Sequence, residues 1–292
     1  MPDLGFGNFP PFHSADEILA HPRFPFARDE FVKAMLALYE HRPFLNRLLL
    51  EVSRTVLGII VICLYARYDE AERETWPTLR LVAEAMALHH IASPSRVQDL
   101  VLRLVKAGYL EQHAAPQDRR VRILTPTRKM IAQDQDFLVS HYLPLQILFP
   151  DPGYTPIMRR DPVFQLKQRS VSRDLFALGA EVLAQNPIMM LFQGRDAGVM
   201  ILIKMIQMAA RNGGAEPLKV SYSDLGGRFG VSRTHVRKLL EAAEQMELVR
   251  LTKAGRQFVE LMPSLLQAFD RLVADAMSGH DLCYNLVHIP AT

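Results

Sequence analysis

Two clusters of lysine and arginine are the residues of this chain best suited to a chemical task, and the task is holding a polyanion. Between Ser93 and Lys129, eight Lys/Arg stand against three Asp/Glu; between Lys219 and Gln257, eight stand against four. The windows carry +5 and +4, so with a net charge of +3 the rest of the 292-residue chain carries −6. Positive charge gathered in two places on an otherwise acidic chain suits a nucleic-acid surface. Chance clustering on solvated helices is the plain alternative.

Other chemistries have less to work with. His89 and His90 are neighbours on a helical stretch, so their side chains diverge by about 100° and cannot chelate one metal together. Cys63 and Cys283 are far apart in apolar surroundings, which gives no disulfide framework and no metal-ligand pair; a reducing cytoplasm is expected. No Gly-rich phosphate loop, nucleophile elbow, zinc spacing or carboxylate pair occurs, so neither catalysis nor a cofactor is expected. The apolar run Val56 to Ala66 is about half the ~20 residues that span a bilayer, and the N-terminal MPDLGFGNFPPFH has no basic region leading into an apolar one. No membrane association is expected. Met189, Met190, Met200, Met205 and Met208 suit either an adaptable ligand pocket or a plain core.

The elements that must position the basic residues appear twice. Ser93-Pro-Ser-Arg-Val-Gln-Asp-Leu-Val aligns without gaps on Ser232-Arg-Thr-His-Val-Arg-Lys-Leu-Leu, at an offset of 139 residues. With small gaps the match extends to Val56-Leu-Gly-Ile on Val199-Met-Ile-Leu, to Pro43 on Pro187, and to Leu124-Thr-Pro-Thr on Leu261-Met-Pro-Ser. An internal repeat of this size is read as two like-built units. Residues 28–150 form the first unit and 171–292 the second. Residues 151–170, entered through FPDPGYTPIMRRDP from Phe149, are expected to be an irregular linker. Residues 1–27, rich in Pro and Phe, are expected to be an extended arm packed on the body.

Within each unit the apolar spacing predicts a short helix, a tight turn and a second helix. In the first, Leu79, Val82 and Met86 lead through Ile91-Ala92 to an N-capping Ser93 with Pro94 at the first helical position. Val97, Leu100, Val101, Leu104 and Val105 make one buried stripe. In the second, Leu225 and Phe229 pack, Gly230-Val231 turn, and Ser232 caps a helix with Val236, Leu239 and Leu240 inside. The outward faces carry Ser95, Arg96, Gln98, Arg103 and Lys106 in one, and Arg233, Thr234, His235, Arg237 and Lys238 in the other. A hairpin follows each. The first has Arg119, Arg120 and Arg122 at its tip, and the second Lys253 and Arg256. Such helices suit the major groove and arginine hairpins the minor groove. Arg96, Gln98, His235 and Arg237 are candidates for base edges; Arg103, Lys106 and Lys238 are candidates for phosphates.

SPSRVQDLVLRLVKAGYLEQ followed by PQDRRVRILTP resembles the core of the MarR family of bacterial transcription regulators, whose wing carries an Asp-x-Arg tip and a Leu-Thr strand end, here Asp118, Arg120, Leu124 and Thr125. The second copy lacks the Asp-x-Arg. The resemblance implies a mainly α fold of winged helix-turn-helix units with small β-hairpin wings, dimeric binding of double-stranded DNA, and a small-molecule effector near the dimer interface. Two units in one chain predict an intrachain pseudo-dimer, with a homodimer of chains as the other assembly. A winged-helix protein-interaction scaffold that does not touch DNA is the alternative function.

Overall fold

The computed structural model describes residues 9–88, 92–213, 217–252 and 258–288. His89, His90, Lys253 and Arg256 lie outside the described residues, as do Ile91 of the first turn and the tip of the second hairpin. The chain is mainly helical with two small antiparallel sheets.

Helix begins before residue 28. Ser14 accepts from the Glu17 backbone N–H while the Glu17 carboxylate accepts from the Ser14 N–H, a reciprocal cap that starts α1 (Ala15–Ala20). Helix α2 (Phe24–Tyr39) follows with Pro25 in its first turn, where a missing N–H costs nothing. The expected extended arm is therefore helical over its described second half. It is tied to the far end of the chain, since His13 bonds Asp281 through both its backbone N–H (2.7 Å) and its ring (2.8 Å).

The two repeated stretches then run in the same order. The first is α3 (Pro43–Leu49), α4 (Val52–Tyr65), α5 (Leu79–Leu88), α6 (Pro94–Lys106), strands β1 (Leu110–Ala114) and β2 (Arg122–Pro126), and α7 (Arg128–Leu148). Helices α8 (Thr155–Met158), α9 (Pro162–Ser172) and α10 (Phe176–Ala184) intervene. The second stretch is α11 (Pro187–Gln193), α12 (Gly198–Arg211), β3 (Leu218–Lys219), α13 (Tyr222–Phe229), α14 (Arg233–Gln245), β4 (Val249–Thr252), β5 (Phe258–Leu261) and α15 (Pro263–Val287). Proline opens both α3 and α11. In the second sheet β3 and β4 flank β5; in the first, Thr78 bridges Ile123 of β2 where β3 would stand.

The expected linker is helical as well. Pro156 and Pro162 sit in the first turns of α8 and α9, and the Asp161 side chain caps α9 from the N–H groups of Val163 and Phe164. Prolines read as breakers act here as starters. Helix α9 buries Phe164, Gln165, Gln168 and Arg169 and packs against α4 and α15, much as α2 packs against α12 and α7. By these contacts α9 is the counterpart of α2. One continuous apolar cluster results, running from Ile18 through Leu57, Tyr142 and Ile201 to Met277.

Contacts between the stretches are polar too. Glu40 at the end of α2 reaches Lys204 of α12 at 2.9 Å and Arg228 of α13. The His41 N–H donates to the Arg228 carbonyl. Gly230 closes α13 at φ +79, and a Cβ there would meet the Pro43 carbonyl oxygen at 2.7 Å and its Cα at 3.1 Å. Gly230→Ala combines a left-handed backbone with a backbone clash, so it should cost about 2 kcal/mol or more. The cost would be read as a lower urea midpoint at unchanged slope.

Candidate nucleic-acid interface

Each candidate reading helix is placed by local chemistry. The Ser93 hydroxyl accepts from the Arg96 N–H, and the Ser232 hydroxyl from the His235 N–H at 3.1 Å. Both helices thus begin where the sequence caps them. Val97, Leu100, Val101 and Leu104 anchor α6 in the core; Val236, Leu239, Leu240 and Ala243 anchor α14. With those sides committed, Ser95, Gln98, Arg103 and Lys106 are exposed on α6, and Arg233, Thr234, Arg237 and Lys238 are exposed on α14. An apolar side chain, Leu102, is also 44% exposed among the α6 cations.

The first hairpin pairs antiparallel, Leu110 opposite Pro126 through Ala114 opposite Arg122. Trp76, Ala115 and Ile123 form a small buried cluster under it, with Tyr68 and Val121 packed alongside. The Trp76 indole donates to the Glu70 carbonyl. At the tip, Asp118 accepts from the Arg120 N–H at 3.1 Å and pairs with Arg73 at 3.0 Å. The carboxylate therefore shapes the turn, and Arg119, Arg120 and Arg122 are left exposed around it. In the second sheet β4 and β5 pair from Val249 opposite Leu261 to Thr252 opposite Phe258.

Searches against protein-family models, curated proteins and solved structures found no match.

Two of the expected contact residues are occupied inside the protein. The Arg96 guanidinium donates to Glu51 Oε2 at 3.1 Å and to Ser53 Oγ at 3.2 Å, both at the start of α4. His235 Nε2 lies 2.9 Å from the Asp196 carbonyl oxygen, just before α12. These residues share one position in the repeat, and in both copies that position braces the exposed helix against the start of the second helix of its stretch, α4 or α12. Arg96 and His235 hold the two helices from behind; Gln98 and Arg237, two residues along, face solvent. Burial raises the Glu51 carboxyl, but hydrogen bonds from Ser53 and the charge of Arg96 outweigh it and hold the group below the usual carboxylate range.

The residues that sequence reading missed are the partners of these braces, Glu51, Ser53 and Asp196, together with Arg54 and Arg73. The capping serines had a local signal, whereas Glu51 lies 45 residues from Arg96 with no periodicity to connect them. Among the described residues, no group of three or more His, Cys, Asp or Glu could hold a metal ion, and no single helix is long and apolar enough to cross a membrane. Cys63 and Cys283 are free and buried; burial pushes the Cys63 thiol up to about 12.

Proposed function

We propose that this chain is a sequence-specific DNA-binding transcriptional regulator of MarR-like type, two winged helix-turn-helix units fused into an intrachain pseudo-dimer. The observation that carries the reading is that a serine-capped helix with an exposed cationic face, followed by an antiparallel hairpin, occurs twice in one chain. Each helix would lie in the major groove, with half-sites about one helical turn apart. Gln98 and Arg237 are the base-edge candidates, each worth about 1–3 kcal/mol of discrimination if bidentate. Arg103, Lys106 and Lys238 would meet phosphates, and Arg119, Arg120 and Arg122 would enter the flanking minor groove. The two faces differ, so one chain would read two unequal half-sites. An effector would be small and largely apolar, because a cavity of about 300 Å³ between α2, α4, α7, α12 and α15 is walled by Phe31, Met35, Val56, Phe137, Met200 and Phe269.

The test is fluorescence polarisation of the full chain on duplex DNA across a salt series. Binding should weaken log-linearly with salt. Replacing Arg103, Lys106 and Lys238 together by alanine should reduce the log–log slope by about 3, at about 0.9 per phosphate. A negligible, salt-insensitive signal would instead favour a protein-docking scaffold, the reading to which exposed Leu102 lends support.

A further inference from the structure

The two braces meet. Arg54, on the first turn of α4, lies between the acidic partners of both exposed helices. Its guanidinium reaches Asp196 Oδ1 at 3.2 Å and faces Glu51 Oε2 at 3.6 Å, and its Nη1 donates to the Arg47 carbonyl at 2.7 Å. Glu51 holds Arg96 of α6, and the Asp196 backbone holds His235 of α14. A continuous polar path therefore runs α6–Arg96–Glu51–Arg54–Asp196–His235–α14. The backbone seals the junction, since the Ala197 N–H donates to the Leu50 carbonyl at 2.6 Å. Ala197 adopts φ +54 to do so, a left-handed conformation that a non-glycine residue keeps only where its surroundings impose it. The side chains of Arg54 and Glu51 are 16% and 14% exposed, so salt screens their attraction less than at an open surface.

We infer that Arg54 is a positioning residue: it fixes the separation of α6 and α14, and thereby the half-site spacing that the chain accepts. The spacing clause rests on the DNA-binding reading; the junction itself does not. Arg54 is suited to the task because a planar guanidinium offers donors along several directions at once. Lysine offers one point charge and cannot span the carbonyl and both acidic groups. The geometry matters for DNA because one inserted base pair displaces a half-site by about 3.4 Å and turns it by about 35°. A rigid junction rejects that change, whereas a loose one follows it.

Two measurements separate the clauses. In the first, spin labels on Gln98→Cys and Lys238→Cys report the α6–α14 distance by pulsed electron resonance in the free protein, the native cysteines being buried. The distribution should be narrow in the parent and broaden in Arg54→Met. Arg54→Lys should broaden it less. Asp196→Asn, a milder change at a 45% exposed side chain, should broaden it from the other side even if Arg54→Met folds poorly. In the second, unlabelled protein is titrated with duplexes carrying its selected site with spacing changed by one base pair. The parent should lose about tenfold in affinity and Arg54→Met about twofold, as expected when one helix no longer has to leave its base contacts. Unchanged distance distributions in both Arg54→Met and Asp196→Asn would overturn the junction. Equal spacing preference in the parent and Arg54→Met would overturn its role on DNA. A parent that binds no duplex would retire the DNA reading and the spacing clause together, leaving the distance measurement to decide the junction.

Discussion

Asp134→Ala should lower the free energy of unfolding by about 3–5 kcal/mol, because it strands a buried guanidinium. Arg169, 3% exposed on α9, donates to Asp134 Oδ2 through Nε at 3.0 Å and to Oδ1 through Nη2 at 2.5 Å. Gln165 adds a third donor to the same carboxylate at 2.7 Å. Burial by itself weakens the hold of Arg169 on its proton, but the adjacent Asp134 carboxylate more than offsets it and keeps the group charged. Removing the carboxylate leaves that charge buried and without its anionic partner. Replacing both partners by apolar residues of similar size, Asp134→Leu with Arg169→Met, should recover most of the loss, because the desolvation cost leaves together with the pair. Urea unfolding of the parent, the single variant and the double variant decides the matter. A single variant within 1 kcal/mol of the parent, on the order of an exposed ion pair, would show that the pair is solvated.

Acidification should destabilise the chain well before its surface carboxylates titrate. His141 is buried and His280 half-buried, with ring centroids 4.9 Å apart. Burial, against a hydrogen bond to the Phe137 carbonyl, depresses His141 to about 4. Burial, with His141 and Arg169 adding to it, drives His280 well below the usual histidine value. In the unfolded chain both rings protonate near pH 6.5. The unfolded state therefore binds more protons than the folded one between about pH 6.5 and 4, and stability falls as pH falls through that window. His141 alone contributes a loss on the order of 3 kcal/mol by pH 4. Stability measured at half-unit steps from pH 7.5 to 5 should decline, and the double variant His141→Asn/His280→Asn should decline less. Parallel curves for parent and variant would sink this account.

What the sequence disclosed was what neighbouring residues decide among themselves. Ser93 and Ser232 cap because the donors they satisfy lie three residues on, and the stripe Val97–Leu100–Val101–Leu104 repeats within one helix. The strands of both hairpins were legible for the same reason. Helix α9 was not, because its buried side includes Gln165, Gln168 and Arg169, residues that a hydropathy pattern places outside. Only the distant Asp134 makes burial of Arg169 tolerable. The first-turn prolines misled in the same direction, since proline permits a helix start as well as it forbids a helix interior. Within the candidate site, the outward residues of α6 and α14 could be listed from periodicity. Which of them would be engaged from behind could not, because Glu51 and Asp196 approach from other parts of the chain.

Helix α2 lodges against α12 and helix α9 against α4, so the chain on each side of Asp151 lends a helix to the core of the other side. Cleavage of the peptide chain around Asp151 would not release two self-sufficient modules. Each fragment would carry an open apolar slot shaped for a helix it no longer owns. Such fragments should be insoluble when produced singly and should recombine when produced together, so fusion into one chain guarantees that the two unequal halves meet in equal numbers.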